Sequence, residues 1–367
     1  MSVSHPHLKN LKHQILKLCN NSQDTQHYSS PNDTKPKRPL VNDQNSELQA
    51  LCRALEECLL QGLRIGGQSY NNSYKSSNSF LSSMHSEVSH WLWVKTLGSV
   101  YSIREITTPL QFCLDHCLQS EKAITNVGRG RLFLRCALNK GLLSHTTRLL
   151  RDHKPLLYEF YDADSIVGDD ILWELLLSLL QTMEQSLFFA LNIRVTSFLD
   201  ETWDLPCLRR YELVPCEKVG LKLHTVEGRI MVVEVESGSV ADEDLKIEPG
   251  DILDDLFGHS LRKSTVRKVI SLMQEYRGCP VYISVIKCLS PEGRFYRPLS
   301  LYLDAASLSR HSLFQLREKK LRELSEMACI GSGETTPTTP LKEKKNQPLN
   351  SGEGHKSTKS GNRSVSN

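Results

Sequence analysis

The spacing of apolar residues changes character after Ile193, and that change constrains what this chain can fold into. As far as Ile193 the apolar residues recur with the period of an α-helix, and from Tyr211 onward they alternate. In ELQALCRALEECLLQGLR, Leu48, Leu51, Cys52, Leu55 and Leu59 fall on one stripe at i, i+3, i+4, i+7 and i+11, with charged and polar residues opposite. In GRGRLFLRCALNKGLLSHTTRLL, Leu132, Phe133, Cys136 and Ala137 form an inner face, whereas Arg131, Arg135 and Asn139 stand at i, i+4 and i+8 on another. One face can pack while another offers positive charge. After Ile193 the segment RVTSFLDETWDLPCLRR carries Pro206 and loses the period. Leu221 and Leu223 then flank Lys222, GRIMVVEV follows a Glu227 and Gly228 turn, and Val281, Ile283 and Val285 alternate with Tyr282 and Ser284. Between these strands, STVRKVISLMQEYRG sets Val266, Val269, Ile270 and Met273 on one helical face that ends at Gly278. The expectation is a multidomain chain, an all-α bundle followed by a small β-rich α+β domain.

A chain of 367 residues exceeds a single core, since such cores stop growing at about 250–300 residues. Two domains and polar tails account for it. The formal charge of +3 is too mild to demand nucleic acid, and no Lys/Arg cluster has interleaved aromatics. Cys52, Cys58, Cys136, Cys279 and Cys288 sit inside apolar periodic segments, as small core residues of a reducing compartment do. The opening MSVSHPHLKN does not have the charged-then-apolar layout of a secretory signal, which points to the cytoplasm. The stretch from Ile171 to Ile193 is the most apolar, but Glu174, Gln181, Glu184 and Gln185 interrupt it. Carboxylates are costly in hydrocarbon. The stretch therefore reads as the central helix of the bundle, opened by Asp164 or Ser165 as a cap with Asp169 and Asp170 near its positive end.

The division expected is as follows. Residues 1–45 form a disordered polar tail containing HLKNLKHQILKLCN, whose Leu8, Leu11, Ile15 and Leu18 suit a frayed helix or a membrane surface. Residues 46–197 form the helical domain, with a Ser- and Asn-rich loop at 66–86. Residues 208–290 form the second domain, and 291–329 an extension with a helical period through Leu313, Leu316, Leu321, Leu324 and Met327. Residues 330–367 are basic and poor in apolar side chains, hence disordered, with Thr336 and Thr339 before prolines as candidate phosphorylation sites.

No catalytic constellation emerges. GRGR has no Gly-Lys-Ser/Thr after it and no strand before it, and there is no Gly-x-Ser-x-Gly elbow or His-Glu-x-x-His helix. Asp162, Asp164, Asp169 and Asp170 stand at a helix N-terminus, where carboxylates are expected. Cys113, His116 and Cys117 have helical spacing and no second ligand pair. The chain reads as a non-enzyme without cofactor or metal.

Two resemblances give these blocks meaning. LCRALEECLLQGLR, HWLWVKTLG, GRGRLFLRCALNKGLLSHTTRLL, LLYEFYDADSIV and the closing helix resemble, in order, a RUN domain. The resemblance implies an all-helical globule acting as effector or adaptor for a GTP-bound small GTPase of the Rab, Rap or Arf-like kind, recruited to vesicle or organelle surfaces. Arg129, Arg131, Arg135, Lys140, Arg148 and Arg151 then become candidates for a basic surface that orients an acidic partner, the alternative being a solvated helix face.

CEKVGLKL, GRIMVVEVESGSVADEDLKIEPGDILDDLFGHSL, the following helix and CPVYISVIK resemble a PDZ domain. Lys218, Val219, Gly220 and Leu221 occupy the place of that family's carboxylate-binding loop, usually Gly-Leu-Gly-Phe. Gly250, Asp251, Leu253, Leu256 and Gly258 fit its second signature, with Phe257 in place of the usual Asn. Amides curled around a permissive glycine can hold a peptide's terminal carboxylate, and Leu221 to His224 can pair with that peptide as an added strand. The groove helix would contribute Thr265, or Ser264 if the alignment slips by one, with Val269 and Leu272. Three readings stay open: an adaptor using both domains, a peptide scaffold whose helical domain is structural or oligomerising, and a PDZ fold that has lost its ligand.

Overall fold

The computed structural model describes residues 5–21, 38–65, 68–69, 88–101 and 106–331. The chain divides into two units, Met1–Leu321 and Arg322–Asn367. In chain order the helical part comprises α1 (Pro6–Asn21), β1 (Leu40–Asn42), α2 (Leu48–Leu60), β2 (Arg64–Ile65), β3 (Gln68–Ser69), α3 (Trp91–Val100), α4 (Thr108–Leu118), α5 (Asn126–Lys140), α6 (Leu143–Asp152), α7 (Lys154–Phe160), α8 (Asp170–Ser186) and β4 (Phe188–Ala190). The short β1 and β4 pair in parallel, Leu40 opposite Phe188.

The stripe on α2 is buried as its spacing requires, and it meets Trp91, Trp93, Leu132, Phe133, Leu180 and Met183 in one core. Trp93 donates from its indole to the Tyr161 hydroxyl at 2.9 Å, and that hydroxyl donates to the Leu59 carbonyl at 2.6 Å, so the polar tips of two buried aromatics are satisfied. At the C-terminus of α5, Gly141 takes φ +62° while its amide and that of Leu142 close back onto Leu138 and Ala137, a glycine stop. GRGR lies in the first turns of α5. Its glycines are demanded by close approach: a Cβ on Gly128 would stand 2.1 Å from Asp200 Oδ1, and one on Gly130 would stand 2.3 Å from Ser89 Oγ.

Two expectations are corrected here. The first 45 residues include a packed helix: Leu8, Leu11, Ile15 and Leu18 of α1 are buried in the same core as α2 and α8. Four aliphatic side chains at i, i+3, i+7 and i+10 make a core face, each contributing about 1.5–3 kcal/mol when buried, so neither fraying nor a membrane surface describes them. The cap of α8 is Asp169, whose carboxylate accepts from the amides of Ile171 and Leu172 at 2.9 and 2.8 Å. Ser165 instead closes the preceding turn, donating to the Asp162 carbonyl and accepting from Gly168. Along α8, Glu174 is exposed and Glu184 accepts from the Ser144 amide and hydroxyl at 3.0 and 2.5 Å. Among the described residues no helix is long and apolar enough to cross a membrane.

The second part is an antiparallel sheet of β5 (Leu208–Leu213), β6 (Leu221–Val226), β7 (Arg229–Val235), β8 (Ile252–Leu256), β9 (His259–Ser260) and β10 (Val281–Ile286), with α9 (Val266–Glu275) between β9 and β10. The order is β5-β10-β8-β7-β6, with β9 on β8. Alternation sends Ile230, Val232, Leu253 and Val285 to the face covered by α9, and Met231, Ile252 and Ile286 to the opposite face. That opposite face packs on Leu299, on Tyr302 and Leu303 of α10 (Ser300–Ala305), on Leu313 of α11 (Arg310–Gly331) and on Phe198. Residues after 290 thus cover one face of the sheet, where the sequence suggested an appended extension. Of the periodic leucines in α11, Leu313 is buried while Leu316 and Leu321 are exposed.

Within Met1–Leu321 the helical part and the sheet are joined through polar bonds that no sequence pattern announces. Lys122 reaches Asp254 at 2.5 Å and Asp255 at 2.6 Å, and the Ser197 hydroxyl donates to Asp254 at 2.7 Å. Phe198, fully buried at φ +71°, lies under the Arg229 guanidinium at 3.7 Å, with Tyr296 and Tyr302 edge-on. Arg229 pairs with Glu201 at 2.9 Å. Asp200 accepts from the amides of Ile124 and Thr125 and from the Thr125 hydroxyl, while Arg262 approaches its other oxygen at 3.5 Å.

Candidate functional site

Strand β6 ends the path of the sheet: it pairs with β7 and with no other strand among the described residues. Its backbone is therefore an open edge, able to accept an added strand. Leu221 and Leu223 are half-buried against the α9-side core, Lys222, His224 and Thr225 are exposed, and Val226 is buried. Helix α9 packs beside β6 and buries Val269 and Leu272, with Met273 partly buried. Leu221, Leu223, Val269 and Leu272 lie along the seam between strand and helix, the candidate groove.

At the head of the groove Gly220 takes φ +86°, and a Cβ there would stand 2.1 Å from the Ser239 Cβ. No other residue fits. The loop is anchored through its carbonyls, Val219 accepting from Ala241 at 3.1 Å and Gly220 accepting from Glu236 at 2.9 Å. The amides of Lys218, Val219 and Gly220 donate to no acceptor among the described residues. Three neighbouring donors around one glycine are what an anion-binding nest requires. Thr265 is the N-cap of α9, exposed, and its hydroxyl makes no capping bond, which leaves it available at the groove's far end.

The Gly250–Asp251 signature has a structural task. Asp251 is fully buried and accepts from the amides of Glu248 and Cys288 at 2.9 and 2.8 Å and from Lys287 at 2.6 Å. Burial pushes its carboxyl up to about 6, against the pull of Lys287. Burial works to lower the Lys287 ammonium, but Asp251 and Glu248 outweigh it and leave it above its ordinary value.

The six basic residues singled out on the helical part do not form one surface. Arg135 is 1% exposed, held by the Asn192 carbonyl at 2.9 Å and by Asp43. Arg151 is buried against the carbonyls of Val167 and Gly168, with Asp170 alongside. Arg131 bonds Glu56 and the Leu199 carbonyl, both at 3.1 Å, and lies over Trp203. These three serve the interior: i, i+4 spacing says which residues share a face, and the segments before and after α8 cover these charges, carbonyls 167–168 reaching Arg151 and carbonyls 192 and 199 reaching Arg135 and Arg131. Arg129 is half-buried. Lys140 and Arg148 are exposed, Lys140 lying 5.8 Å from the ring of Phe112, itself exposed. Thr336 and Thr339 lie outside the described residues.

Cys113 and Cys117 of α4 face Cys136 of α5; the hydrogen bond that Cys113 donates to Cys136, with burial, pushes the Cys113 thiol up. His116 instead contacts the Ile193 carbonyl at 2.9 Å. Among the described residues no group of three or more His, Cys, Asp or Glu is placed to hold a metal. A cleft of about 1080 Å³ between the helical part and the sheet is lined by Arg135, Trp203, Lys287 and Tyr296, but both of its buried cations are already paired inside the chain.

Residues 50–195 match the family model of the RUN domain. Residues 50–195 are the RUN domain of this chain. Among solved structures, the PDZ domain from choanoflagellate GIPC (mbGIPC) aligns with 22% of this chain and 90% of its own, at 13% identity and a TM-score of 0.21. The second PDZ domain of Dlg1 from the choanoflagellate Monosiga brevicollis aligns with 22% of this chain and 94% of its own, at 18% identity and a TM-score of 0.21. The strand order, the helix set beside an edge strand and the glycine turn at its head make the sheet that follows the RUN domain PDZ-like.

Proposed function

We propose that this chain is a non-enzymatic adaptor whose PDZ-like groove captures the C-terminus of a partner protein. The observation that carries this reading is the open edge of β6 beside α9, headed by three neighbouring amides that donate to nothing else among the described residues. A free terminal carboxylate satisfies those donors, the ligand backbone pairs with β6, and its last side chain enters the space between Leu221, Val269 and Leu272. The test uses the whole chain and C-terminal peptide pools in two forms, free acid and amide. Tighter binding of the acid supports capture of the carboxylate; equal affinity of the two forms refutes it.

The RUN domain supplies the second contact in this proposal. It engages a GTP-bound small GTPase of the Rab, Rap or Arf-like kind, which brings the adaptor to a vesicle or organelle surface from the cytoplasm. With Arg131, Arg135 and Arg151 turned inward, the basic residues left for an acidic partner are Lys140 and Arg148, with exposed Phe112 beside Lys140. Lys140→Glu with Arg148→Glu, assayed by pull-down against GTPases loaded with a GTP analogue or GDP, is expected to lose GTP-selective capture while the protein stays folded. Undiminished capture moves the contact elsewhere. No capture by the unmodified chain favours a second reading, a peptide scaffold in which the RUN domain is structural or oligomerising. The inward engagement of three of its arginines is the observation on that side.

A further inference from the structure

The charges around the groove are distributed unevenly, and their position relative to a bound strand selects a ligand. This inference rests on the groove reading above. A peptide pairing antiparallel with β6 places its carboxylate at Lys218–Gly220 and runs toward the end of the strand, the Glu227–Gly228 turn and the start of α9. Six strand residues at about 3.3 Å each leave room for five or six ligand residues. The residues three to five places before the ligand's terminus therefore lie at the far end of the groove.

Two free cations stand there. Lys263, at φ +58°, is pinned to the β6–β7 turn by its amide, which donates to the Gly228 carbonyl at 2.7 Å, and its side chain is exposed. Lys268 is exposed on α9, at i+3 from Thr265 and i−4 from Leu272, hence on the helix face that lines the groove. Among the described residues neither has an ion-pair partner. Arg267 is exposed but points away from the groove by helical spacing, adding only a diffuse field. The other cations nearby are engaged, Arg262 by Asp200 and Glu201 and Lys222 by Glu234. Against them stands one carboxylate, exposed Glu227. The positive end of the ten-residue helix α9 adds to the same sign.

We infer that the groove selects C-termini carrying acidic side chains at the fourth and fifth residues from the end, read by Lys263 and Lys268. Two solvent-exposed ion pairs give a preference of about five-fold, and screening weakens it as salt rises. The test is fluorescence anisotropy of the full chain with heptapeptide pools ending in Val, Leu or Phe, carrying Glu-Glu, Ser-Ser or Lys-Lys at those two places, each as free acid and as amide. At about 50 mM NaCl the Glu-Glu acid is expected to bind about five-fold tighter than Ser-Ser and Lys-Lys weakest, with the spread shrinking at about 300 mM. Lys263→Glu with Lys268→Glu should reverse the order of the three acid pools, Lys-Lys becoming the tightest and Glu-Glu the weakest. Equal affinity of the three acids, each still tighter than its amide, overturns the charge preference and leaves carboxylate capture standing. No advantage of acid over amide in any pool overturns both.

Discussion

Replacing Lys122 by Met keeps the aliphatic stem and removes the one charge that joins the RUN domain to two carboxylates of the PDZ-like sheet. Asp254 is 4% exposed and Asp255 17%, and Lys122 itself is 17% exposed. Burial works to lower the Lys122 pKa, and the two carboxylates outweigh it, so the lysine enters the interface charged. Its removal leaves Asp254 with the Ser197 hydroxyl alone as a side-chain donor. Breaking a buried pair from one side costs about 3–5 kcal/mol, and the residual exposure of Lys122 puts this case near about 3 kcal/mol. Trp91, Trp93, Trp173 and Trp203 all precede the sheet, so tryptophan fluorescence reports the helical part and far-ultraviolet circular dichroism reports both. Urea unfolding followed by the two probes should show the loss and a separation of two transitions that coincide in the unmodified protein. Adding Asp254→Asn removes the stranded charge and should recover about 1–2 kcal/mol. A loss under about 0.5 kcal/mol, the range of a solvated surface pair, would refute the reasoning: Lys122 would then not join the domains.

Gly130→Ala should destabilise the RUN domain by about 1–3 kcal/mol, although Ala is the better helix former, because its Cβ would meet Ser89 Oγ and the His90 ring; thermal melts that rise instead would contradict the packing. Arg135→Glu should prevent folding, since it places a carboxylate against Asp43 and the Asn192 carbonyl, whereas Lys140→Glu should leave the melting temperature within a degree or so of the unmodified protein. The two domains should respond to acid with opposite signs. His90 is fully buried and burial lowers its pKa, so its contribution is complete above about 6.5 and is lost as pH falls through that value. Asp251 is raised to about 6, so the folded state binds its proton more tightly than the unfolded chain does, and its contribution grows as pH falls through 6. Comparing unfolding free energies from pH 7 to 5 in His90→Gln and Asp251→Asn against the unmodified protein should remove the respective slopes; unchanged slopes would refute the assignments. A fragment of residues 208–290 should fail to fold cooperatively, because Leu299, Tyr302, Leu303 and Leu313 cover one face of its sheet; a sharp unfolding transition would count against that.

The backbone positions along the candidate groove were legible in the sequence. Gly220 could be read as a left-handed turn, and alternation gave Leu221 and Leu223 the inward positions on β6, because both properties are local to the backbone. Val269 and Leu272 follow from a helical period. The arginines were not legible in the same way. Arg131, Arg135 and Arg151 look like surface charge at helical spacing, yet carbonyls from residues 167–199 reach them, and a pattern of spacing holds no information about a segment that returns from elsewhere in the chain. The tail misled for the converse reason: the stripe of α1 was visible, but its destination on α2 and α8 was not.

The sequence by itself determined the two kinds of element, their order and the faces they bury, since period 3.6 and period 2 are imposed by backbone geometry within a few residues. Only the tertiary structure decided which charged faces remain in water. It also decided that the RUN domain and the PDZ-like sheet are joined through Lys122, Phe198 and Asp200, and that residues after 290 complete the sheet's core. Those outcomes depend on contacts between residues far apart in the chain, where burial and pairing together set the energy of each charge and no local pattern carries the answer.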